Sequence, residues 1–97
     1  MPAYIISEVS EVVDAAAMER YRALAEVTIK QYDGRYLVRA GEWESLEGEW
    51  ALEQTIVVEF PSREQAKDWY RSPEYATARE LSQIALKRKM LVVEGVH

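Results

Sequence analysis

An α+β fold, with two helices laid on one face of a four-stranded antiparallel sheet, is what this 97-residue chain predicts. Three observations predict it. Short apolar runs rich in β-branched residues alternate with longer stretches whose apolar residues recur at three and four. Both longer stretches open on a capping side chain, which sets where each helix begins. The segments run strand, helix, strand, strand, helix, strand, so each half of the chain reads as a split βαβ unit.

Tyr4 to Val9 is the first strand. Asp14 caps a helix of about five turns, with Met18, Tyr21, Leu24, Ala25, Ile29 and Tyr32 along one stripe. Gly34 ends it as the residue just past the last turn. The runs Gly34 to Arg39 and Thr55 to Phe60 read as antiparallel strands whose arms meet at a three-residue turn, Leu46-Glu47-Gly48. With Gly48 left-handed as a bulge residue, Ser45 pairs with Glu49, and counting outward puts Arg39 opposite Thr55, Leu37 opposite Val57 and Arg35 opposite Glu59. Ser62-Arg63-Glu64-Gln65 is a capping box, Gln65 reaching back to the cap, and Ala66, Trp69 and Tyr70 then face inward. Ser72-Pro73 interrupts this helix, since Pro73 has no amide hydrogen and restricts Ser72. Pro73 starts a second helical piece with Tyr75, Ala78, Leu81 and Ala85 inward. Lys87-Arg88-Lys89 closes it, favoured by the helix dipole, and Met90 to Glu94 is the last strand.

The right-handed arrangement of these elements is a ferredoxin-like plait over residues 1–97, a single domain with sheet order 4-1-3-2. Alternation then turns Ile5, Ser7, Val9, Tyr36, Val38, Ala40, Ile56, Val58, Phe60, Leu91 and Val93 toward the helices. It turns Tyr4, Ile6, Glu8, Arg35, Leu37, Arg39, Thr55, Val57, Glu59, Val92 and Glu94 the other way. Two helices cover only one side of the sheet. The other keeps Ile6, Leu37, Val57 and Val92 as an apolar patch. A homodimer pairing sheet to sheet covers it, with Trp50 as a further interface anchor.

Composition narrows function. The net charge of −5 argues against nucleic acid, whose phosphates require clustered Lys and Arg. No cysteine is present, which removes disulfides and thiolate chemistry. The single histidine is His97, so no cofactor or metal held by His or Cys is expected. A carboxylate set of Glu8, Glu59 and Glu94 reads as solvated or ion-paired in preference to a metal site. There is no basic leader, no apolar run long enough to span a membrane and no phosphate loop, so a cytoplasmic location is expected.

Several spaced motifs carry a resemblance. They are Pro2-Ala3-Tyr4, the Asp14 cap, Gly34 to Gly41, Leu46-Glu47-Gly48-Glu49-Trp50, Glu59-Phe60-Pro61-Ser62, Trp69 to Tyr75 and Val93-Glu94-Gly95. In this order they resemble the domain of unknown function 1330 family, within the dimeric α/β-barrel superfamily. The resemblance implies a ferredoxin-like protomer that pairs sheet to sheet and holds a ligand pocket between the sheet and the layers around it. Superfamily relatives include cofactor-free monooxygenases, lactone isomerases and haem peroxidases, so the fold alone does not choose a reaction. Family members commonly carry an Arg after the leucine corresponding to Leu81, where this chain has Ser82.

Arg39, Glu8, Tyr4 and Trp43 are the ligand-binding candidates. Arg39 offers a planar fork to a carboxylate or enolate oxygen, and Glu8 offers a proton acceptor on the same sheet face. The competing reading makes both members of structural ion pairs in the dimer. Three classes of function follow: a dimer binding an acidic or oxygenated metabolite, acting as a cofactor-free enzyme; a non-catalytic binding or stress-response module; and a subunit whose sheet face serves assembly alone.

Overall fold

The computed structural model describes residues 1–97. Strand β1 (Ala3–Val12) leads to helix α1 (Ala15–Gln31), strands β2 (Arg35–Arg39) and β3 (Gln54–Phe60), helices α2 (Arg63–Arg71) and α3 (Pro73–Ala85), and strand β4 (Leu86–Glu94). The sheet order is β2-β3-β1-β4 with every pair antiparallel, the ferredoxin-like plait the sequence predicts. All three helices lie on one face, where Ile5, Val9, Met18, Tyr21, Ile29, Val58, Phe60, Trp69 and Tyr75 are buried together.

The caps behave largely as read. Asp14 accepts from the Ala17 amide at 3.0 Å and Ser62 from the Gln65 amide at 3.1 Å. The Gln65 side chain, however, does not return to its cap. It donates to the Tyr32 carbonyl at 2.9 Å and to Asp33 Oδ2 at 3.0 Å, tying α2 to the end of α1. The left-handed residue after α1 is Asp33 (φ 63) and not Gly34. Gly34 is needed for another reason: a Cβ there would fall 2.8 Å from both Ile29 Cγ2 and Phe60 Cε1. Close helix-to-sheet approach is what the glycine provides.

Ser72 joins two helices. It is 4 % exposed, its hydroxyl donates to the Trp69 carbonyl at 2.7 Å, and it accepts from the Tyr75 amide at 3.1 Å. The Ser72→Ala variant removes both bonds and is expected to lower stability by about 1–2 kcal/mol. A urea melt with an unchanged midpoint would refute the double cap.

Further expectations are corrected. The segment from residue 40 to 53 is not a paired hairpin; it is an irregular loop between β2 and β3. Ala40 takes a left-handed turn (φ 57) immediately after β2 and leads the chain off the strand. Gly48 is left-handed (φ 82), and Ser45 Oγ donates to its carbonyl at 2.9 Å, so the turn is local to the loop. Next, β4 starts at Leu86, so Lys87-Arg88-Lys89 is strand and does not cap a helix. Pairing with β1 then sets Leu91 opposite Ile6 and Val93 opposite Tyr4, on the open face, while Val92 lies opposite Ile5 and packs against the core. Val92 therefore leaves the predicted interface patch, and Leu91 takes its place; Glu94, opposite Ala3, likewise turns to the helix side. Tyr70, expected inward, is 39 % exposed. The sequence pattern of β4 alone permits either face; the register decides.

The last concerns β2. Arg35 pairs with Glu59 as expected, and Tyr36 with Val58, but Leu37 is an extra residue and the ladder resumes with Val38 opposite Val57 and Arg39 opposite Ile56. The bulge reverses the faces of everything after it. Arg39 accordingly lies on the helix side of the sheet. The open face keeps one apolar row across all four strands: Val38, Val57, Ile6 and Leu91.

Candidate functional site

Between the sheet and the helices lies a cavity of about 360 Å³. Its sheet wall is built by alternate residues of three strands, Ile5, Ser7 and Val9 of β1, Ile56 and Val58 of β3, and Arg88 and Met90 of β4, with Tyr36 and Arg39 from β2. Its other wall is Met18, Tyr21, Arg22 and Ile29 of α1 with Trp69 of α2. The lining is mainly hydrophobic, 12 of 16 residues, and its polar groups are few and distinct. That is the character of a small-molecule site.

At one end, Arg88 donates to the Tyr21 hydroxyl at 2.8 Å and to the Tyr75 hydroxyl at 3.0 Å, and those two hydroxyls are 2.8 Å apart. The guanidinium also lies 5.0 Å from the centre of the Tyr21 ring. Burial disfavours its charge, yet the two tyrosine oxygens outweigh that and raise its pKa above the ordinary value. Tyr75 moves up as well, chiefly through burial. Arg88 forms no ion pair with a carboxylate. Nearby on β1, the Ser7 hydroxyl is buried and has no hydrogen-bond partner. Ser7 is only 2 % exposed.

At the other end, Arg39 donates to Glu26 Oε1 at 3.0 Å and stacks over the Tyr36 ring at 4.4 Å. Burial pushes the Tyr36 hydroxyl up to about 12, against the lowering effect of Arg39. Arg22 donates to Gln54 Oε1 at 3.2 Å.

Of the four residues singled out from sequence, Arg39 alone borders this cavity. Glu8 lies on the opposite face of the sheet, between Thr55 and Lys89. The expected pairing of Glu8 with Arg39 around one ligand is therefore corrected: the β2 bulge puts the sheet between them. Tyr4 is also on the open face, between Glu59 and Val93. Trp43 is 43 % exposed in the loop and borders a shallow groove with Glu8, Trp50 and Thr55. Trp50 is half exposed, its indole donating to the Glu47 carbonyl at 3.0 Å. Glu59 pairs with Arg35 at 2.7 Å, and Glu94 approaches Arg63 at 3.9 Å, so the three carboxylates Glu8, Glu59 and Glu94 do not form one cluster.

Sequence reasoning missed Arg88 and gave Ser7 and Tyr21 only structural places. The period-two pattern Arg88, Met90, Val92 is the signal for Arg88, hidden because two flanking lysines made the segment look like a helix end. A serine at the centre of an otherwise apolar strand face is the signal for Ser7.

The model of the family described as Domain of unknown function (DUF1330) matches residues 2–96. None of the curated proteins matches the chain. Among solved structures, a protein of unknown function from Rhodopseudomonas palustris, RPA0582, is similar with 18% identity and a TM-score of 0.80, covering 99% of this chain and 83% of that one. A dimeric ferredoxin-like protein of unknown function from Jannaschia sp. CCS1 has 13% identity and a TM-score of 0.73, with 98% and 100% covered. SnoaB, a cofactor-independent oxygenase from Streptomyces nogalater, has 9% identity and a TM-score of 0.61, with 99% and 93% covered. At such identities the likeness concerns the fold. No helix of this chain is long and apolar enough to cross a membrane.

Proposed function

We propose, from the premise that this chain belongs to the DUF1330 family, that it is a homodimer binding a small, largely apolar organic molecule between the sheet and helices of each protomer. The cavity of about 360 Å³ carries this reading. A recess of several hundred cubic ångströms between sheet and helices, lined mainly by hydrophobic residues with a few polar groups, is of ligand size and character. Dimerisation is supported by the apolar row Val38, Val57, Ile6, Leu91 on the uncovered face and by the dimeric state of the similar Jannaschia protein. Pairing through that row leaves the cavity on the far side of the sheet, so assembly and binding use different surfaces.

A non-catalytic binding module fits the lining best, because it contains neither a carboxylate nor an imidazole to move a proton. The likeness to a cofactor-independent oxygenase supports an enzymatic alternative. In it the Tyr21 hydroxyl, held by Arg88 at 2.8 Å, is the proton-handling group at the cavity wall.

Fluorescence tests the binding reading directly. Trp69 is one of three tryptophans, is 1 % exposed and lines the cavity. In a Trp43→Phe, Trp50→Phe background it reports alone. Small neutral aromatics such as benzyl alcohol and 1-naphthalenemethanol are expected to change its emission saturably and to raise the melting temperature in step. Linear, unsaturable responses to the whole series would overturn the reading.

A further inference from the structure

The charges around the cavity run against those of the chain. The protein has 17 acidic and 12 basic residues, yet the cavity is lined by three arginines, Arg22, Arg39 and Arg88, and by no carboxylate. Only Arg39 has a counter-ion, Glu26. Arg22 is met by an amide oxygen and Arg88 by two neutral hydroxyls. Low-dielectric walls around charges of one sign focus their field on the space between them, here most strongly at the largely buried Arg88. An apolar cavity with that field favours an anion.

We infer that the cavity selects a small organic carboxylate, its head group seated between Arg88 and the Ser7 hydroxyl and its apolar body lying against Ile5, Val58 and Trp69. This inference rests on the binding role proposed above and names the ligand class. Two of the five N–H groups of Arg88 are taken by Tyr21 and Tyr75. The planar fork suits a carboxylate. Ser7 supplies an independent sign: a lining residue 2 % exposed whose hydroxyl has no partner within the protein, and which a rotation of its side chain brings to the head group. A carboxylate oxygen beside it would satisfy that donor and neutralise Arg88 at once. Phosphate fits less well, because a dianion needs more donors than a lining with 12 hydrophobic residues of 16 provides.

Paired probes separate charge from shape. Phenylacetate and 1-naphthylacetate are each titrated calorimetrically against the matching primary amide, with wild type, Arg88→Met and Ser7→Ala proteins. Wild type is expected to bind each carboxylate at least ten-fold more tightly than its amide. Ser7→Ala removes a buried polar atom that has no partner, so the fold is expected to stay intact while carboxylate affinity falls several-fold. Arg88→Met is expected to abolish the preference and leave amide affinity within about three-fold. If the Met variant fails to fold, the Ser7→Ala comparison still decides. Equal binding of acid and amide by wild type overturns the carboxylate assignment and leaves the binding role standing. An undiminished preference in Ser7→Ala overturns the placement of the head group. Failure of all four probes to bind overturns both readings together.

Discussion

Trp69→Ala is expected to destabilise the protomer by about 3–5 kcal/mol, the usual cost of removing a buried large aromatic. The ring lies 5.5 Å from Phe60, 4.2 Å from Tyr75 and 6.3 Å from Tyr70, centre to centre, so it joins sheet, α2 and α3. Its Nε1 donates to Thr28 Oγ1 at 3.0 Å, which adds α1. Truncation opens a void against a cavity that already exists, so neighbouring side chains have little reason to close it. A domain of this size has about 5–15 kcal/mol of total stability, and the loss would consume a large share. Urea unfolding followed by circular dichroism measures it. A loss below 1 kcal/mol would show that the space refills and that Trp69 is not the keystone of the helix layer.

Val57→Lys is expected to dissociate the proposed dimer. Val57 sits between Val38 and Ile6 in the apolar row, and a symmetric pairing brings two copies of the substituted residue into one interface. Desolvating two unpaired ammonium groups costs several kcal/mol, enough to weaken association by a hundred-fold or more. The helix side of the sheet is untouched, so secondary structure and Trp69 emission in the separated protomer should persist if it folds alone. Sedimentation velocity across micromolar concentrations checks both proteins. A wild-type monomer over that range would dispose of the dimer, and an undissociated variant would move the interface elsewhere.

The topology was legible because every term that sets it is local. The Asp14, Ser62 and Ser72 caps fix the helix starts, and Pro73 divides α2 from α3. Strand order then follows from handedness. The site was less legible because it depends on register, which is a long-range quantity. The count outward from the Gly48 turn reaches Arg35 opposite Glu59, but the arms it runs along are unpaired and it has no means of finding the extra residue at Leu37, which alone moves Arg39 to the cavity side. The face of β4 was lost in the same way, since Leu91, Val92 and Val93 are equally apolar and only pairing with β1 separates them. Arg88 was obscured by its neighbours: Lys87 meets Glu11 at 3.5 Å and Lys89 lies opposite Glu8, so two solvent-side cations flank one that faces inward.

The bulge at Leu37 bears on how family sequences are compared. Removing that residue would leave Val38 opposite Val57 and Arg39 opposite Ile56, the same partners on a straight strand. Keeping it while straightening the strand would carry the guanidinium through to the other surface. Between two relatives, a gap of one residue in β2 therefore preserves the arginine's side of the sheet, whereas a gapless alignment with a different strand geometry inverts it. Identity at the aligned column does not report which side an arginine occupies. Nor does the length between Tyr36 and Ala40 taken alone; the register against β3 does, and a survey of the family should sort its members by whether β2 bulges there before it asks which of them share this cavity.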